Sequence, residues 1–377
     1  MSLLNAGKDL PVIDDLLNLF LQDVPLLDVR APVEFHEGAF PCSTNLPLMD
    51  DDDRVEIGTR YKQQGQDAAI ELGLQRVSGG EIKAARVAAW QGFAEAHPNG
   101  VLYCFRGGLR SRTSQQWLYE QTGIRYPRVH GGYKAMRGFL REQLESLPSL
   151  IRPLILSGRT GSGKTRFLRD IQQQIDLEAC ANHRGSAFGT QPTPQPPQIG
   201  FENDLAIQLL RKFHQGQTTL VFEDESRTIG SVHLPDTFFD ALSSAPLVLM
   251  QVPDEERVEI SYQEYVVDNI AAFTAVNGSD TEAGFAAFSA YLLGSLAKVQ
   301  RRLGGVRYQQ AREMMERALQ QQARDQSTTA HYDWVRFILL DYYDPMYDYQ
   351  ISKKQDRLVF TGSPAEVRDY LNAQGIQ

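Results

Sequence analysis

The sequence predicts an α/β protein of two units in series, each built on a parallel sheet, the second ending in a helical C-terminal part. Three observations lead there. Short apolar runs alternate with helical patterns both before and after residue 150. In each unit a strand runs into a glycine-rich loop and then a helix, Val101 to Ser111 in the first and Leu154 to Lys164 in the second. After Ala283 the pattern is helical through Gln326.

Taken in order, Pro25–Arg30 and Gly100–Cys104 are short, apolar and bounded by turn formers, as buried parallel strands are. Gly80–Ala96 carries helical periodicity in Ile82, Ala85, Val87, Ala89, Trp90 and Phe93, and Ser111–Gln121 reads as the helix after the second strand. Residues 146–153 interrupt the helical pattern with two prolines, which sets the expected boundary between a first domain, 1–148, and a second, 149–377. The second opens with the strand Pro153–Leu156, a glycine-rich turn and a helix from about Lys164; Thr219–Phe222 is its next strand. The proline-dense run Thr190–Gln198 predicts an extended surface loop.

Composition sets limits. The 377 residues suit two or three domains, and 42% hydrophobic with 23% charged residues is ordinary for a globular chain. Apolar runs stop far short of the roughly 18 residues a membrane span needs, which predicts no membrane association. Met1–Lys8 shows no basic stretch followed by an apolar one, so a cytoplasmic protein is expected. Three scattered cysteines, Cys42, Cys104 and Cys180, suit neither a disulfide framework nor a zinc cage, and no dedicated metal site is expected. A net charge of −9 confines any nucleic-acid contact to local patches.

Cys104-Phe105-Arg106-Gly107-Gly108-Leu109-Arg110-Ser111 is the first chemical site. A strand delivers the cysteine, glycines let successive N–H groups curl into an anion-binding nest, and Arg106 and Arg110 add positive charge. These surroundings favour the nucleophilic thiolate. The stretch resembles the rhodanese fold. Leu27-Asp28-Val29-Arg30, Glu34-Phe35, Gly38–Pro41 and Asn45-Leu46-Pro47 are similar to that family's N-terminal signature, and Val129–Ala135 to its closing Gly-Gly turn. The resemblance implies that Cys104 either carries a persulfide or perselenide or attacks directly. Five residues separate Cys104 from Arg110, one more than in many sulfur-carrying rhodaneses, and this spacing also matches dual-specificity phosphatases. The longer loop suits a phosphate-bearing donor. Cys42 reads as structural.

Gly158-Arg159-Thr160-Gly161-Ser162-Gly163-Lys164-Thr165 fits the Walker A pattern and sits between a strand and a helix, which predicts a P-loop NTPase-like α/β domain. Its backbone N–H groups would cradle a diphosphate, Lys164 would reach the terminal phosphates and Thr165 would hold Mg²⁺. Glu223 and Asp224, closing the next strand, are candidates to orient that ion, although three adjacent acids also suit a solvated turn. Without an Asn-Lys-x-Asp motif the chain is not expected to read guanine. His183–Gly189 pairs two cationic residue types, His183 and Arg184, with a flexible turn that suits a phosphate, a tRNA backbone or an ordinary surface loop. Lys298, Arg301 and Arg302 are a candidate tRNA contact, or a solvated helix face. Four tyrosines between Asp341 and Tyr349 suit stacking on bases, an apolar substrate groove or a packed core.

The two loops joined in one chain, with His183–Gly189, Glu223–Arg227 and Tyr342–Gln350, resemble the bacterial tRNA 2-selenouridine synthase family from about Leu26 to Phe360. The resemblance implies a transferase acting on wobble 2-thiouridine in tRNAs for lysine, glutamate and glutamine. Its co-substrates would be geranyl diphosphate, which alkylates the sulfur, and selenophosphate, which replaces the geranylthio group with selenium. A selenophosphate-supplying enzyme would be a partner. Two other readings stay open on the residues: a Cys-x5-Arg phosphatase with a nucleotide-binding domain, and a nucleotide-regulated RNA-binding adaptor.

Overall fold

A computed structural model describes residues 9–377, so the segment Met1–Lys8 read above for a leader lies outside the described residues. The chain forms two compact units, Met1–Leu147 with Pro197–Gln215, and Pro148–Pro196 with Gly216–Gln377. Both are α/β with parallel sheets.

The first unit holds β1 (Val12–Ile13), β2 (Leu26–Asp28), β3 (Ser43–Asn45), β4 (Val101–Tyr103) and β5 (Arg128–Val129) in the order β1-β5-β4-β2-β3, every pairing parallel. β2 and β4 are buried along their whole length, which is why they read as apolar runs without alternation. Their register sets Asp28 beside Tyr103, so Cys104 leaves the sheet's C-terminal edge next to Val29. The helix Gly80–Ala96 matches its periodicity and buries Val87, Trp90, Phe93 and Ala94, with Trp90 Nε1 donating to the Leu46 carbonyl at 2.9 Å. The long helix Asp51–Val77, which sequence reading did not find, is capped by Asp50 and kinked at Gly65, where φ is +87°. It buries few of its residues, so its amphipathic pattern is weak.

The second unit holds β6 (Arg152–Ser157), β7 (Thr219–Glu223), a small antiparallel ribbon of β8 (Thr228–Ile229) and β9 (Val232–His233), β10 (Leu247–Met250) and β11 (Leu358–Gly362). The main sheet runs β11-β10-β6-β7, all parallel, with β11 supplied by the C-terminal end of the chain. Helices Thr281–Leu303, Gly305–Asp325 and His331–Ile338 pack around Phe288, Leu292, Leu296, Met315 and Trp334. Two π-helical turns, Gln263–Val267 and Leu339–Tyr343, interrupt the helices of this layer.

One element departs from the expected split of 1–148 and 149–377. The helix Gln198–His214 packs on Gly132–Ser146 of the first unit, so the chain leaves the second unit after Pro196 and returns at Gly216. Its buried face carries Phe201, Leu205, Ala206, Leu209 and Leu210. Arg211 donates to the Phe20 carbonyl at 2.8 Å and pairs with Asp23 at 2.6 Å, while Asn203 Nδ2 reaches the Ala39 carbonyl at 2.9 Å. Gly38 makes the approach possible, because a Cβ there would lie 2.9 Å from that of Ile199. The proline run is the connector on the outward leg, with no helix or strand between Gln191 and Pro197. Among the described residues no helix is long and apolar enough to cross a membrane.

Candidate functional site

In the first unit, Cys104 follows β4 and is buried; its Sγ donates to Ser111 Oγ at 3.2 Å. Ser111 lies one turn into the helix Leu109–Thr122, so its hydroxyl orients the thiol from the far side of the loop. The turn Gly131-Gly132 braces the loop: Tyr133 N–H donates to the Cys104 carbonyl and Lys134 N–H to the Phe105 carbonyl, both at 2.9 Å. Both glycines have positive φ, and a Cβ on Gly132 would strike the Cys104 carbonyl. Gly107, at φ +63°, likewise has no room for a Cβ against Gly131 N. The close approach of two backbones is why glycine recurs at both places.

The two loop arginines separate. Arg106 is exposed, its guanidinium 5.7 Å from the Phe105 ring centre. Arg110 instead makes a two-point ion pair with Glu34, which is buried at the start of the helix Pro32–Glu37. The ion pairs to Arg110 and Arg54 hold the Glu34 carboxyl below the ordinary glutamate range against the opposing effect of burial. Arg110 is expected to add positive charge to the anion-binding loop; its fork is taken by Glu34, and its charge stands beside Cys104. Sequence reading cited Glu34 only as part of a signature. Cys42 Sγ donates to the Val24 carbonyl at 3.3 Å, and burial pushes its thiol up to about 12.

In the second unit, β6 delivers Gly158 and the loop runs to the short helix Lys164–Arg169. Gly161 and Gly163 have φ of +76° and +72°, conformations that L side chains rarely adopt. Residues Thr160 to Thr165 line a polar cavity with Glu178, Arg184, Glu223 and Glu225. Ser162 Oγ and Glu223 Oε1 are buried there and meet no hydrogen-bond partner among the described residues. Lys164 Nζ donates back to the Gly158 carbonyl at 3.0 Å. Burial works to lower its pKa, but Tyr347, Glu223, Glu178 and Glu225 around it outweigh burial and raise it.

The acids differ from expectation. Register places Glu223, at the end of β7, beside Leu156 on β6, and so beside the P-loop. Asp224 also borders the cavity, but its carboxylate accepts from Ser157 Oγ at 2.7 Å and pairs with Lys354, so it is not a free metal ligand. Glu178 and Glu225, not singled out from the sequence as ligands, take its place. One carboxylate oxygen from each of Glu178, Glu223 and Glu225 lies within 4.8 Å of the others. Burial, then mutual repulsion, pushes Glu178 and Glu223 up to about 8 and Glu225 to about 7. One buried and two half-buried carboxylates beside a single lysine favour uptake of protons or a cation, and this oxygen set, with Thr165 Oγ1 3.4 Å from Glu178, suits a hard divalent ion. Glu178 was missed because it lies far from the strand end where such acids are sought. Its local signal is the turn that follows, where Gly185 N–H donates to it at 2.5 Å.

The remaining candidates divide. Arg159 leaves the loop and places its fork on Asp348, at 2.8 and 2.7 Å, so only its backbone stays with the P-loop. Arg184 lines the cavity, held by the Glu264 carbonyl at 2.8 Å. His183 is buried, and burial followed by the Lys298 charge lowers its pKa. Lys298, Arg301 and Arg302 border a second cavity with Tyr342, Tyr343, Met346 and Tyr347. Buried Arg257 went unnoticed in the sequence; it donates to the Thr160 carbonyl at 3.1 Å and grips Asp344 at 3.0 and 2.5 Å, fixing the P-loop backbone.

Residues 151–377 match the family model described as the tRNA 2-selenouridine synthase AAA domain. The tRNA 2-selenouridine synthase of Marinobacter nauticus is 49% identical over 364 residues, 97% of this chain and 98% of that protein. That of Pseudomonas aeruginosa strain LESB58 is 52% identical over 353 residues, 94% of this chain and 95% of its relative. The chain belongs to the tRNA 2-selenouridine synthase family.

Proposed function

We propose that this protein converts 2-thiouridine at the wobble position of tRNA to 2-selenouridine in two transfers, one at each loop. The observation that carries this reading is the P-loop cavity, which Lys164 and the glycine-rich loop line together with three clustered carboxylates suited to a cation. Such a site fits the diphosphate of geranyl diphosphate. The tRNAs for lysine, glutamate and glutamine, selenophosphate as selenium donor and a rhodanese-like first unit belong to the same proposal.

In the first transfer the thiouridine sulfur attacks C1 of geranyl diphosphate. The C1–O bond breaks with its electron pair on the diphosphate, and the base loses its N3 proton to solvent. Lys164 and the loop amides stabilise the departing charge, a role made for groups already oriented before reaction. Glu178, Glu223, Glu225 and Thr165 would hold Mg²⁺, which when bound supplies positive charge beside the diphosphate. Alkylation turns the sulfur into a leaving group.

In the second transfer the Cys104 thiolate adds to C2 of the base and expels geranylthiolate, which takes a proton from solvent. The selenium of selenophosphate then displaces Cys104, and water removes the phosphoryl group as phosphate, leaving the selenouridine with its N3 proton restored. Exposed Arg106 meets the donor's phosphoryl oxygens. Arg110, fixed by Glu34, keeps a positive charge beside the thiolate.

The test is nucleoside mass spectrometry of 2-thiouridine-containing tRNA incubated with the protein. Geranyl diphosphate alone should yield the S-geranyl nucleoside, and added selenophosphate the 2-selenouridine. Unchanged 2-thiouridine in both incubations would overturn the reading and favour the phosphatase or adaptor alternatives.

A further inference from the structure

The P-loop cavity has a neighbour. Gly185, Ser186 and Tyr347 line it and also line a second cavity of about 390 Å³, so the two adjoin at these residues. Their linings differ in kind. The first is crowded with charge around Lys164. The second has walls of Ala187, Val299, Tyr342, Tyr343 and Met346, with Lys298, Arg301 and Arg302 exposed at its rim. The π-turn Leu339–Tyr343 sets the two tyrosines on this wall, and Tyr343 is fixed by the Ala187 N–H donating to its hydroxyl at 3.1 Å. Such turns recur at functional sites because the extra residue re-aims side chains.

We propose that this second cavity holds the hydrocarbon chain of the allylic diphosphate and measures its length, with Tyr347 at the junction beside the reacting carbon. This rests on the reading of the P-loop as an isoprenoid-diphosphate site. C1 is bonded directly to the diphosphate, so with the phosphates at Lys164 it must lie where the cavities meet. Tyr347 stands there, lining both cavities, with Lys164 in the lining of the first. An aromatic face suits the positive charge that develops on C1 as the C1–O bond breaks. Beyond C1 the chain needs apolar walls, and Val299, Met346 and the tyrosine rings supply them. The cationic rim is left for the RNA backbone, which brings the sulfur in from outside.

The test uses the full chain, 2-thiouridine-containing tRNA, and dimethylallyl, geranyl and farnesyl diphosphates, with inorganic diphosphate as competitor. Met346→Trp, which shortens the cavity, should raise the KM for geranyl diphosphate at least about tenfold. It should shift preference toward the dimethylallyl donor and leave inhibition by inorganic diphosphate within about twofold. Met346→Leu should keep the wild-type preference, which separates cavity shape from misfolding. An unchanged KM and chain-length profile in Met346→Trp would overturn the proposal while the parent reading stands. So would a raised KM for tRNA alone, which would give the cavity to the base. If wild type forms no S-alkylated nucleoside from any donor, the parent reading itself falls, and this proposal with it.

Discussion

Lys354 Nζ reaches both carboxylate oxygens of Asp224, at 2.6 and 2.8 Å. With Ser157 Oγ donating to the same carboxylate, Asp224 ties the lysine just before β11 to the edge of the P-loop strand β6. Its neighbour Glu223 instead belongs to the carboxylate trio with Glu178 and Glu225. Asp224→Asn should therefore lower stability by about 1–3 kcal/mol yet keep the rise in Tm on adding Mg²⁺. Glu223→Gln should lose most of that rise. Thermal melts of both variants with and without Mg²⁺ check the assignment.

The carboxylate trio gives the ion-free protein a pH dependence of definite sign. Glu178, Glu223 and Glu225 have folded pKa values of about 8, 8 and 7 against 4.5 for an ordinary glutamate. The folded state thus binds more protons than the unfolded one across that window. Their contribution is full below about pH 4.5 and is lost as pH rises through 7 to 8. Without divalent ions, Tm should fall by about 4 °C or more between pH 5.5 and 8.5. Glu225→Gln should reduce the fall, and saturating Mg²⁺ should reverse it. A Tm that rises over this range would contradict the arrangement.

Glu34 is predicted to act through Arg110. Removing its carboxylate frees an arginine whose charge belongs beside Cys104. Glu34→Gln should cost about 1–3 kcal/mol and slow selenium incorporation at least about tenfold, with geranylation unchanged. Arg110→Lys should behave similarly, because a lysine cannot make the two-point contact. The two steps are read separately by nucleoside mass spectrometry.

Asp28 and Arg30 form a buried pair, with Arg30 Nε and Nη2 at 2.8 and 2.6 Å from Asp28 and the guanidinium 3.8 Å from the Tyr133 ring centre. Arg30 also donates to the Gly38 carbonyl at 2.9 Å. Asp28→Ala strands a buried cation and should cost about 3–5 kcal/mol, measured by urea unfolding.

The parts of this molecule legible in its sequence are those whose cause is local. β4 with its glycine loop, β6 with its own, and the helix Gly80–Ala96 are each specified by residues within one short window. What sequence order hid depends on long-range packing. The helix Gln198–His214 reads as part of the second domain because nothing local marks it as an excursion; its partners Phe20 and Ala39 lie far away in the chain. Asp224 looks like a metal ligand until Lys354 is brought to it, and Glu178 looks unremarkable until Gly185 turns it inward. Arg159 and Arg110 sit in phosphate-loop motifs, yet distant acids, Asp348 and Glu34, take their side chains. Loop backbones follow motif rules; the direction of long charged side chains is settled by partners that the motif does not contain.

The division of labour between the two loops is tested most directly by following both nucleoside products in wild type, Cys104→Ser and Lys164→Ala. The prediction is that Lys164→Ala forms no S-geranyl nucleoside but still converts pre-geranylated tRNA to 2-selenouridine, while Cys104→Ser accumulates the S-geranyl nucleoside and stops there. Full selenium incorporation by Cys104→Ser, or normal geranylation by Lys164→Ala, would contradict it.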